Sequence, residues 1–110
     1  RHALETPCGK IPIPGTGMLR HVERKTVRYA DIDFNLHANN AKYIEWAMDC
    51  LETDLVTSHR VKRFQINFNA EARLSDTLDI SVAQTGTLDR YVEGIKEDKS
   101  IFQVHISFAP

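Results

Sequence analysis

Three stretches in the second half of the chain alternate apolar and polar residues with a period of two. Phe64, Ile66, Phe68 and Ala70 alternate with Gln65, Asn67, Asn69 and Glu71; Leu78, Ile80 and Val82 alternate with Asp79 and Ser81; Phe102, Val104, Ile106 and Phe108 alternate with Gln103, His105 and Ser107. Such alternation predicts antiparallel strands with one face on a core and the other wet. Arg90–Lys96 reads as a weaker strand interrupted by Gly94, and Glu97–Ser100 as its hairpin turn into the last strand. Val22–Tyr29 reads as the first strand. Between it and the others, Ile44, Ala47, Met48, Leu51 and Leu55 recur at helical spacing, and Tyr43, Trp46 and Cys50 widen that apolar surface. Lys42, Glu45, Asp49 and Glu52 are confined to one narrow stripe. A helix lying on an ordinary sheet carries a broader polar face, so this one is expected to be enclosed on most sides. One strand, one buried helix and four meandering strands predict an α+β domain. Its curved antiparallel sheet, of about five strands, would wrap around one long central helix.

Pro7–Gly17 holds three of the four prolines and three of the five glycines, so residues 1–20 read as an extended linker and 21–110 as a single folded unit. The first residue is Arg1 rather than Met, and the chain is expected to be a piece of something longer. Its 110 residues suit one domain with a real core. A net charge of −1 gives no reason to expect nucleic acid or an anionic membrane as partner. No apolar run approaches the roughly 20 residues that span a bilayer. Cys8 and Cys50 are too few for a disulfide framework, which points to a reducing compartment.

The densest polar cluster, Asp31-Ile32-Asp33-Phe34-Asn35-Leu36-His37-Ala38-Asn39-Asn40, lies between the first strand and the helix. Asp33, Asn35 and His37 occupy alternate positions, so an extended backbone would aim a carboxylate, an amide and an imidazole the same way. Together they suit orienting a water and polarising a carbonyl, and imidazole is the one of these side-chain types that titrates near neutrality. The helix that follows offers unpaired N-terminal amides to a developing oxyanion. Asn39 and Asn40 suit either helix capping or a functional role, and Tyr43 and Trp46 either core or the wall of a pocket.

The run from Arg28 to Trp46 resembles the signature of the acyl-acyl carrier protein thioesterases, R-x-S-D-L-D-x-N-x-H-V-N-N-V-x-Y-I-x-W. The departures are Ala30 for Ser, Ala38 and Ala41 for Val, and Ile32 for Leu. A shorter version, with D-x-D, H-x-N-N and Y, occurs in hydroxybenzoyl-CoA-type thioesterases. Downstream, Asn69-Ala70-Glu71-Ala72 with Asp76 resembles the family's second, less specific motif. The resemblance spans most of Val22–Phe108 and implies a hotdog fold, the C-terminal unit of a two-hotdog protein. It implies hydrolysis of acyl-acyl carrier protein to free fatty acid, with the carrier's phosphopantetheine-linked acyl chain as partner and substrate. Asp33, Asn35, His37 and Glu71 match the family's catalytic set, while Asn39, Asn40, Tyr43 and Trp46 are carried as substrate-binding candidates. Ala72 falls where plant members carry a cysteine, which argues against a thiol-enzyme route here. No cofactor or metal is implied.

Simple alternation puts Glu71 on the face away from the helix, so a bulge or an interface between two hotdog units is expected to bring it to the site. A homodimer, or pairing with a second hotdog unit, follows. His2, His21, His59 and His105 lack metal-ligand spacing with Cys or carboxylates. The basic cluster His59-Arg60, Lys62 and Arg63 reads as a solvated strand edge or as a contact for an acidic carrier protein. The competing functions are an acyl-CoA thioesterase on the same fold, and a non-catalytic hotdog half that completes a partner. The expected setting is a bacterial cytoplasm rather than a plastid.

Overall fold

Alternating side chains bury together only if their strands pair, and five strands do so in one antiparallel sheet. They are β1 (Arg20–Thr26), β2 (Val61–Phe68), β3 (Thr77–Gly86), β4 (Asp89–Lys96) and β5 (Lys99–Phe108). Helices α1 (Asn40–Asp49) and α2 (Thr53–Ser58) lie between β1 and β2 in the chain. This computed structural model describes Pro14 and residues 18–110; the rest of the expected linker lies outside the described residues.

The strand order is β1-β3-β4-β5-β2. Val82, Val92, Val104 and Ile66 stand side by side across β3, β4, β5 and β2, all buried beneath the helices. The next row is Ile80, Gly94, Phe102 and Phe68. Gly94 is the gap in that row. The Phe102 ring lies over it, and a Cβ there would overlap the ring. From this position Phe102 stacks on Tyr43 of α1, with ring centroids 5.2 Å apart. Helix α1 crosses β4 and β5 and buries Tyr43, Trp46 and Ala47.

Several elements differ from the sequence expectation. Only β3, β4 and β5 meander; β2 pairs with β5 at the far edge, and β1 pairs with β3. The single long helix is two. Its apolar spacing runs on through Leu51 and Leu55, but the amides of Cys50 and Leu51 donate to Ala47 and Met48, tightening the last turn and ending α1. The first strand stops at Thr26, and Tyr29 begins a 3-10 turn, Tyr29–Asp31. The β4–β5 turn is just Glu97 and Asp98, both at positive φ (49° and 67°), as a two-residue hairpin loop requires. No helix among the described residues is long and apolar enough to cross a membrane.

Candidate active site

After the 3-10 turn, Ile32 and Ala38 pair as an isolated antiparallel bridge, so residues 33–37 must reverse the chain. Asp33 supplies the means. Its Oδ1 accepts from the amides of Asn35 (2.9 Å) and His37 (3.3 Å), while the amide of Asp33 donates to the His37 carbonyl (2.9 Å). Leu36 is forced to φ 65°, a region costly for a branched side chain. The extended backbone expected to aim Asp33, Asn35 and His37 alike is therefore a tight turn. A short carboxylate beside free amides is itself a turn former, and that property wins. Asp33 shapes the loop through Oδ1, Asn35 is exposed at its tip, and His37 at its end is half-buried.

Glu71 reaches His37 from the other side. Strand β2 ends at Phe68, and the amides of Asn69 and Ala70 both turn to the Ile101 carbonyl, at 2.8 and 3.2 Å. The chain then crosses to the 33–37 turn. The Ala38 amide donates to the Ala72 carbonyl at 2.7 Å, and His37 bridges Arg73. Glu71 Oε1 thus lies 2.8 Å from His37 Nδ1. The alternation continues in the sequence through Glu71, but the strand has already ended, so the pair forms within one chain without a bulge. An ionised carboxylate only accepts, so Nδ1–H is the donor of this contact and Nε2 is left facing away from Glu71. The pair is open to solvent: the side chain of Glu71 is 66% exposed and that of His37 21%.

Asn39 is the N-cap of α1, its Oδ1 accepting from Ala41 at 2.9 Å. The Lys42 amide donates to the Asn39 carbonyl. Neither bond takes up the amide of Asn40, the first residue of the helix and itself exposed. Tyr43 and Trp46 both pack into the core. Tyr43 is fully buried and Trp46 nearly so, packed edge to face at 5.6 Å, though Trp46 also borders an open, largely polar cleft with Lys42, Glu45 and Asp49. The Tyr43 oxygen instead accepts the Ala72 amide at 2.9 Å, a contact across 29 positions that no local sequence pattern announces. Burial, foremost, raises the Tyr43 pKa, helped by the Glu71, Asp76 and Asp33 carboxylates and opposed by the Ala72 amide.

Ala72 is fully buried, so a side chain there points into the core. Cys50 offers no nucleophile either. Burial and then the charge of Glu23 push its thiol up to about 11. Among the described residues, no three His, Cys, Asp or Glu side chains gather as a metal site.

A five-stranded antiparallel sheet over a helix, in this strand order, is the hotdog fold of the thioesterases it superposes on. Residues 19–110 match the family model of the acyl-ACP thioesterase C-terminal domain, and the chain belongs to that family. It is similar to a chloroplastic dodecanoyl-[acyl-carrier-protein] hydrolase of Cinnamomum camphora, 30% identical over 61 residues covering 56% of this chain and 16% of that enzyme. A chloroplastic oleoyl-acyl carrier protein thioesterase 2 of Arabidopsis thaliana is 31% identical over 52 residues, 47% of this chain and 14% of that enzyme. Among solved structures, an acyl-ACP thioesterase from Bacteroides thetaiotaomicron superposes with TM-score 0.83 at 26% identity, over 97% of this chain and 43% of that one. The 12:0-ACP thioesterase of Umbellularia californica gives 0.84 at 18%, over 93% of this chain and 40% of that one, a likeness of fold. The chain spans less than half the length of each of these relatives.

Proposed function

We propose that the chain is the catalytic hotdog unit of a thioesterase that hydrolyses acyl-acyl carrier protein to free fatty acid and the carrier's thiol. The observation that carries this reading is the His37–Glu71 pair at 2.8 Å within a domain of this family. Glu71 holds Nδ1–H, and Nε2 takes a proton from water as its oxygen attacks the thioester carbonyl carbon. The unpaired amides at the start of α1, Asn40 among them, are read as the donors for the oxyanion. The C–S bond then breaks and the proton passes to the leaving thiolate. Asp33 keeps the loop in shape, and Asn35 contacts the water or the carbonyl from the loop tip. A thioester is already an activated acyl group, so positioning and one base supply the needed rate.

The carrier protein is proposed to dock on Arg60, Lys62 and Arg63, which are exposed around the start of β2. His59 next to them is tied to the Ala109 carbonyl at 3.0 Å. Residues 1–20 are read as a connector and 21–110 as the C-terminal of two hotdog units, which the partial coverage of the structural neighbours supports. Tyr29, Phe34, Leu36 and Leu74 are exposed apolar side chains on the segments that form the site. They are read as the surface that a second unit, or a second copy of this chain, covers. A bacterial cytoplasm is the proposed setting; the Bacteroides neighbour supports it and the chloroplastic curated relatives favour a plastid.

The test is parallel turnover of acyl-acyl carrier protein and acyl-CoA by the 110-residue chain, repeated with Arg60 and Lys62 changed to Ala. A preference for the carrier substrate that the double variant weakens, with acyl-CoA turnover unchanged, is expected. A strong preference for CoA contradicts it. The openness of Glu71 favours a second reading, a half-site that gains activity only when paired. Turnover that rises with chain concentration identifies it.

A further inference from the structure

Glu71 is largely exposed, and attraction between exposed charges is too weak to hold a long carboxylate side chain in one place. Its position must therefore come from the backbone. Residues 69–76 lie outside any strand and are held by individual hydrogen bonds: Asn69 and Ala70 to Ile101 before Glu71, Leu74 to Leu36 and Ser75 to Val27 after it, and Ala72 immediately beside it. Ala72 is held from two sides: its carbonyl accepts the Ala38 amide at 2.7 Å, and its amide donates to the Tyr43 oxygen at 2.9 Å. Tyr43 is in turn immobile. It is fully buried, stacked on Phe102 at 5.2 Å, set edge-on to Trp46 at 5.6 Å and tilted against Phe68 at 6.0 Å. Among the described residues, Ala72 N–H is the one backbone donor of the β2–β3 connection bonded to a side chain of the central helix.

We propose that Tyr43 is a positioning residue whose phenol oxygen, by accepting the Ala72 amide from within the core, fixes the segment that presents Glu71 to His37. The proposal rests on reading His37 and Glu71 as the reacting pair. The helix thereby aligns both halves of the site: its N-terminal end follows His37, and its second turn sets the register of Glu71. A phenylalanine preserves the ring packing and leaves the Ala72 amide without its acceptor.

The test is Tyr43→Phe in the 110-residue chain, with Val92→Ala as a control that opens the same core away from Ala72. The first readout is the His37 Nδ1–H resonance in 15N-labelled protein; the second is the split of kcat and KM for an acyl-carrier-protein thioester. Tyr43→Phe is expected to broaden or abolish the resonance and to lower kcat by up to about 100-fold with KM little changed, since misplacing a reacting group by an ångström carries losses of that order. Val92→Ala is expected to keep the resonance. A resonance unchanged in Tyr43→Phe, or lost equally in Val92→Ala, overturns the proposal. If Tyr43→Phe does not fold, amide exchange in the unaltered chain decides: Ala72 must be protected, and exchange as fast as that of Glu71 overturns it. Glu71→Gln with unchanged kcat, alongside a lost resonance in Tyr43→Phe, defeats the catalytic reading and leaves the positioning intact.

Discussion

A methyl group at Gly94 would overlap the edge of the Phe102 ring, and Phe102 is fully buried. The glycine is there for space, since its φ is not positive. Gly94→Ala is therefore expected to cost about 2 kcal/mol by overpacking, measured as the shift in a denaturant unfolding curve. Because Phe102 carries Tyr43, the strain should also reach Ala72. In the sequence Gly94 reads only as an interruption of a weak strand, since a requirement for empty space leaves no mark on its neighbours. His37 and Glu71 were legible by their match to family motifs. Their mutual distance was not, because it depends on where β2 stops. Ala70 and Glu71 continue the alternation of β2 after the backbone has left the sheet.

Among the elements, the β3–β4 hairpin is tied to the junction of α1 and α2 by one side chain. Arg90 is buried on the inner face; its Nη1 donates to the carbonyls of Gly86, Thr87 and Asp89, and its Nε and Nη2 grip Glu52 at 3.2 and 3.0 Å. Arg90→Met leaves those carbonyls short of donors and is expected to cost about 2 kcal/mol in thermal or denaturant unfolding. The Arg90 hydrogen bonds, foremost, hold the Glu52 carboxyl below its ordinary value of 4.5. A depressed carboxylate stabilises the fold above its unfolded pKa, and that contribution disappears as pH falls through the lower folded value. The unfolding midpoint should thus drop below about pH 5, and Glu52→Gln should blunt the drop modestly, since Glu52 is over half exposed. Strands β3 and β5 were readable from alternation alone. The break between α1 and α2 was not, because Leu51 and Leu55 keep helical spacing across it.

For the molecule as a whole, the sheet wrapped on a helix was legible, but strand order was not. Which edge β2 joins is decided by contacts between residues far apart in sequence, such as Ile66 with Val104. The exposed apolar surface was equally hidden, because Phe34 and Leu36 look like ordinary loop residues until the turn around Asp33 projects them outward. If that surface is a pairing face, the chain should self-associate in sedimentation experiments, and Phe34→Glu should shift it toward monomer while lowering turnover. A wild-type monomer with full activity would contradict the pairing.

The most direct measurement is single-turnover hydrolysis of an acyl-carrier-protein thioester by the chain and by its His37→Ala variant, with folding checked by thermal unfolding. A folded variant slowed by about 100-fold or more is the predicted result, the scale of losing a general base. A folded variant hydrolysing at the wild-type rate would contradict the assignment of His37 and Glu71 as the reacting pair.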